Sequence, residues 1–131
     1  MAVRIFLAVQ TLLWLPYGVF CFFQPAFLAG AAGVEFGSLT GNIEIRAMYG
    51  GLQAALGAFT LAGFLREPLR APALTAVAFL VAGLATARLG GVALEGDLSA
   101  YTGGALAFEI ATVAVAVFLL RRSDAPGPAV A

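Results

Sequence analysis

The sequence predicts an all-α, integral membrane four-helix bundle with both termini in the cytoplasm. Three observations carry that expectation. Of the 131 residues, 62% are hydrophobic and only 11% charged. A soluble domain carries roughly 25% charged residues, so polar surface is too scarce here to cover a water-exposed globule. Four stretches, residues 5–23, 43–65, 73–94 and 101–120, each supply the ~20 mostly apolar residues that cross a hydrocarbon core about 30 Å thick. Finally, Arg4, Arg66, Arg70, Arg121 and Arg122 flank one side of a four-span layout, and basic flanks stay in the cytoplasm. Residues 1–122 therefore read as one transmembrane domain, with no room for a separate extramembrane domain.

The first span opens after Arg4. Ile5 to Leu15 resembles the apolar core of a signal peptide, with Ala29-Gly30-Ala31 as a cleavage site. Apolarity continues to Phe23, however, beyond the usual core of about 7–15 residues, so the span is expected to stay in the protein. Gln10, Trp14, Tyr17, Cys21 and Gln24 recur at spacings of four and three, which puts them on one helical face. Pro16 offers a bend beside them. That face reads equally as a cavity wall and as an ordinary packing surface. The connection Gln24–Asn42 keeps Phe27, Leu28, Val34 and Phe36, as a segment lying along the membrane surface would.

Asn42 is the expected N-cap of the second span, with Glu44 in its first turn. Gly50, Gly51, Gly57 and Gly63 would weaken a soluble helix, yet glycine is common in membrane spans. Arg66 to Pro72 forms a tight turn, because Pro68 and Pro72 interrupt helix and the latter suits a helix start. The third span carries Arg88. Glu95-Gly96-Asp97-Leu98-Ser99 is a short polar turn in which Ser99 caps the fourth span. Glu109 stands within that span, on a face shared with Thr102, Ala105 and Thr112. The tail 123–131, with Pro126, Gly127 and Pro128, reads as a disordered end. Small residues four apart, Ala47/Gly51/Ala55, Gly83/Ala87/Gly91 and Gly103/Ala107/Ala111, are expected to let neighbouring helices touch.

Function is written less plainly. The net charge is zero, there is no histidine, and Cys21 is the single cysteine. No electrostatic footprint for nucleic acid follows, nor an internal disulfide, a His-containing zinc site or a Ser-His-Asp triad. No metal or other cofactor is expected. What remains is a set of polar residues inside apolar spans. Arg46, Tyr49, Gln53 and Thr60 return close to one face at α-helical spacing. An arginine near a helix N-terminus opposes the helix dipole and calls for an acidic partner or an anionic ligand. Gly50 and Gly51 leave room beside it for close approach. A central Arg or Asp costs about 2.5–3.5 kcal/mol on insertion, so Arg88 and Glu109 are expected to face the bundle interior and pair.

The candidate site is thus Glu44, Arg46, Tyr49, Gln53, Arg88 and Glu109, all in the outer half. Three readings stay open. The cluster binds a small amphipathic or anionic, lipid-like ligand, with Arg46 and Arg88 as bidentate anchors. Alternatively the chain is an accessory subunit of a larger membrane complex, or a homo-oligomer, docking through its small-residue faces. In the third, a membrane enzyme uses Glu109 or Glu44 as acid or base with Tyr49. No metal motif or nucleophile–base pair supports the third. Structural ion pairs that fix helix register would also account for the charges.

At Glu44-Ile45-Arg46-Ala47-Met48-Tyr49-Gly50-Gly51 the chain resembles a family of small bacterial four-span membrane proteins known only as a domain of unknown function. The resemblance places the family's shared polar positions at Glu44 through Gly51, Arg88, the Glu95-Gly96-Asp97 turn and Glu109. It implies a four-helix bundle in the bacterial cytoplasmic membrane and supplies no reaction. A looser similarity of layout to the DoxX-like four-span proteins rests on architecture alone.

Overall fold

A computed structural model describes residues 1–34 and 37–123. Among them the regular structure is entirely helical. Helix α1 spans Ala2–Phe23, a short α2 Phe27–Ala32, α3 Leu39–Leu65, α4 Arg70–Glu95 and α5 Ala100–Ser123, with a single 3-10 turn at Glu67–Leu69 before α4. Four of these, α1, α3, α4 and α5, are long and apolar enough to cross a membrane. Each is a few residues longer than its apolar window, because the capping residues lie outside the hydrophobic stretch. The tail beyond Ser123, and Glu35 and Phe36 of the first connection, lie outside the described residues.

The caps show why. Ser38, not Asn42, begins α3. Its backbone is extended and its hydroxyl accepts from the Gly41 N–H at 3.0 Å, which leaves Asn42 inside the helix and Glu44 beyond the first turn. A serine at the true N-cap satisfies an orphan donor that the apolar pattern cannot reveal. Ser99 caps α5 as expected, accepting from the Thr102 N–H at 3.1 Å. Helix α2 ends at Gly33 and α4 at Gly96, both left-handed, at φ 67° and 69°, the conformation that lets a helix reverse without a Cβ clash.

Chain order folds the four long helices up and down, so Met1, Leu65, Arg70 and Ser123 share one end, called here the terminal end. The apolar core occupies that half. Leu7 of α1, Ala73 and Leu74 of α4 and Leu119 of α5 form one cluster. Trp14, Leu56, Val77, Ala78, Val81 and Ala116 form the next layer.

Helices α1 and α3 meet backbone to backbone. A Cβ placed on Gly18 would lie 2.3 Å from the Ala54 nitrogen, and one on Gly57 would lie 2.3 Å from the Leu15 nitrogen. Gly50 against Phe22 and Gly63 against Ala73 are nearly as close. Van der Waals packing replaces a hydrophobic driving force where lipid is the solvent; Gly18, Gly50 and Gly57 set the approach of α1 to α3, and Gly63 admits Ala73 of α4. Within the same interface the buried hydroxyls of Thr11 and Thr60 lie 2.9 Å apart. With one proton apiece, one hydroxyl donates to the other, which in turn donates to a carbonyl of its own helix.

The small-residue stripes read from spacing alone are not these contacts. Ala47, Gly51 and Ala55 are exposed, and nothing lies within 4 Å of a Cβ at Gly83, Gly91 or Gly103. Spacing of four defines a face; it does not say which face meets a neighbour.

Helix α3 also departs from α geometry. Arg46–Gly51 forms a π turn. An i→i+5 turn accommodates one extra residue, so the residues before it are rotated relative to those after it.

Candidate functional site

At the far end the helices part around a cleft of about 720 Å³. Its walls come from all five helices. Helix α1 gives Leu13, Trp14 and Tyr17, and α2 gives Phe27 and Ala31. Met48, Tyr49, Leu52, Gln53 and Leu56 come from α3, Leu80, Gly83, Leu84, Ala87 and Arg88 from α4, and α5 adds Tyr101, Ala105, Phe108 and Glu109. Mostly apolar walls with a few convergent polar groups, at a volume between about 300 and 1,000 Å³, are the general form of a small-molecule site.

Arg88 and Glu109 supply the charge. The guanidinium is bidentate on the carboxylate: Nη2 donates to Oε1 at 2.8 Å, and Nε lies 3.2 Å from both oxygens. The Glu109 side chain is only 4% exposed, against 28% for Arg88. The carboxylate is therefore sealed between α4 and α5, while the arginine still presents an edge to the cleft. Pairing was the expected remedy for two charges in apolar spans, and the geometry supplies it. Tyr49 and Tyr101 line the cleft with this pair, and Tyr17 neighbours both Tyr101 and the buried Cys21.

The remaining sequence candidates divide. Tyr49 and Gln53 line the cleft with Arg88 and Glu109. Gln53 carries a buried carbonyl oxygen without a hydrogen-bond partner among the described residues. Glu44 and Arg46 do not line it. Glu44 is exposed. Arg46 turns to α1, where its guanidinium donates to the Phe22 carbonyl and lies over the Phe22 ring, 5.7 Å from its centroid. The expected arginine pair of Arg46 and Arg88 is thus not assembled. The π turn is the reason, since wider winding moves Arg46 and Tyr49 apart from the common face that α spacing gives them. Thr60 is likewise absent from the cleft, buried against Thr11.

The polar face read on α1 also splits. Trp14 and Tyr17 line the cleft, whereas the indole N–H of Trp14 donates to the Gln10 oxygen at 2.7 Å in the interior and Gln24 is exposed beyond the helix end. Tyr101, Phe108 and the α2 residues Phe27 and Ala31 line the cleft without having been singled out. For Tyr101 a signal existed, as it precedes Ala105 by four and Glu109 by eight. Helix α2 gave none: with Leu28 fully buried it folds back onto the bundle, as six residues of apolar loop do not foretell.

Residues 2–120 match a family described as a domain of unknown function, DUF4345, and the chain belongs to that family. No curated protein and no solved structure matches it.

Proposed function

We propose that this is an integral membrane protein whose cleft takes up a small amphipathic, lipid-like ligand. The arginine-rich terminal end faces the cytoplasm and the cleft lies in the outer half of a bacterial cytoplasmic membrane. One observation carries the reading: a cleft of about 720 Å³ whose mostly oily walls hold the Arg88–Glu109 pair, Tyr49 and Gln53. A purely structural ion pair needs no such space beside it. The distribution of charge supports the membrane placement, with Arg4, Arg66, Arg70, Arg121 and Arg122 at the terminal end. So does the outer surface, where Leu12 is 73% and Phe79 76% exposed, at home against lipid tails rather than water.

The ligand enters with its polar head at Arg88 and its apolar part along Leu13, Leu52, Leu56 and Leu80. The Glu109 carboxylate is held by Arg88, which commits it to the ion pair, and the reading here is of binding. A second reading, docking as an accessory subunit of a larger complex, draws on the uncovered small residues at Gly91 and Gly103.

The test fills the cleft and leaves the charges alone. A Cβ at Gly83 meets nothing within 4 Å, and the residue lines the cleft. Gly83→Phe should therefore fold and insert, yet retain about tenfold less co-purifying amphiphile in native mass spectrometry of mild-detergent preparations. Equal retention by both proteins would refute the reading.

A further inference from the structure

The geometry points to an uncharged, single-tailed amphiphile with an oxygen-rich head, of the monoacylglycerol type, as the ligand of the cleft; the inference rests on the binding reading above and narrows it. Size comes first. At roughly 30 Å³ for each non-hydrogen atom, on the scale of liquid water, the cleft of about 720 Å³ holds about two dozen such atoms. One acyl chain with a compact head fits that volume. A two-chain phospholipid far exceeds it.

Charge selects the head. Among the described residues, Arg88 and Glu109 are the only charged side chains that line the cleft, and they neutralise one another through three hydrogen bonds. A ligand carboxylate or phosphate would place a second anion against one guanidinium and leave net negative charge in a poorly solvated site. An unpaired charge there is strongly unfavourable. A neutral head meets no such obstacle.

Hydrogen-bonding capacity then fixes its chemistry. A guanidinium has five N–H donors, and the bonds to Glu109 use only Nε and one N–H of Nη2. The remaining donors sit on the partly exposed edge of Arg88, and Tyr49 and Tyr101 line the same cleft. These require acceptor oxygens, which ester and hydroxyl groups supply. The unpartnered carbonyl oxygen of Gln53 requires a donor. Gln53 lines the cleft, and its terminal amide torsion is soft, so a ligand hydroxyl is the partner this oxygen would take. A head bearing both ester and free hydroxyls answers each of these groups; a ketone, which only accepts, answers some of them and a hydrocarbon none.

The experiment presents three probes to the full chain in nanodiscs and reads occupancy by native mass spectrometry: 1-monopalmitoylglycerol, palmitate and dipalmitoylphosphatidylglycerol. The monoglyceride should bind about tenfold more tightly than palmitate, and the two-chain lipid should not enter. Glu109→Gln leaves the Arg88 charge unmatched and should reverse the order of the two single-chain probes. Where that variant does not insert, Tyr49→Phe serves instead and should weaken the monoglyceride several-fold. Tighter binding of palmitate by the unaltered protein overturns the neutral head, and entry of phosphatidylglycerol overturns the size argument, while both leave the cleft a lipid site. Unchanged monoglyceride affinity in Tyr49→Phe places the head elsewhere and also overturns the inference. If none of the three probes binds, the underlying binding reading falls with it.

Discussion

The α1–α3 and α4–α5 pairs are held together by opposite means. Between α1 and α3 the glue is missing side chains: Gly18, Gly50 and Gly57 bring one backbone onto the other. Between α4 and α5 toward the far end it is one buried ion pair, while Gly83, Gly90, Gly91, Gly103 and Gly104 stand open. Dense contact leaves no room for a ligand. An ion pair spans a wider gap, and the cleft occupies the space beside it. A helix pair can be rigid or can frame a site, and here each pair has taken one of those tasks.

The largest effect expected from breaking this contrast falls on the ion pair. Arg88→Ala leaves Glu109 buried without a partner and should lower stability by about 3–5 kcal/mol. Replacing both by leucine should recover most of that loss. Unfolding in mild detergent followed by circular dichroism measures both, and a double variant no better than the single one would show that the charges are not coupled. The next effect probes the glycine interface. Gly57→Ala drives a methyl into the Leu15 backbone, and overpacking of this kind costs about 1–3 kcal/mol. A neutral result would mean that α1 and α3 are not in the contact described.

The smallest expected effect has the opposite sign. Gly103→Ala, in open space on α5, should be neutral or should raise stability by up to about 1 kcal/mol, because alanine is the better helix former. The same detergent unfolding assay reads it. A clear loss of stability would place another helix against that face, from a second copy or a larger complex, and so sharpen the contrast into one between internal and external contacts.

Much of the architecture was legible in the sequence because the forces that set it are coarse. Spans follow from hydropathy, and the pairing of Arg88 with Glu109 follows from the cost of leaving either in an apolar setting. What was not legible depends on geometry finer than spacing. Arg46 and Arg88 are expected together because both fall in the outer half, and Arg46 is expected beside Tyr49 because an offset of three returns near one face of an α-helix, but the sequence around Arg46–Gly51 does not announce a π turn. Thr11 and Thr60 meet through two hydroxyls 49 positions apart, a pairing no local pattern encodes. The contact glycines were lost among their neighbours. Of the adjacent Gly50 and Gly51, only the first touches α1, and the seven-residue step from Gly50 to Gly57 is the one trace of a shared face.

The π turn bears on how relatives of this chain should be compared with it. Counted against a regular α-helix, the stretch from 46 to 51 holds one residue of surplus, the mark that a single-codon insertion leaves. A homologue shorter by one residue there would wind uninterrupted, turned by about 100° across the missing position. Its arginine and tyrosine would come back to a shared side and contend for one neighbourhood, so alignments that close this gap silently would equate residues that do different jobs.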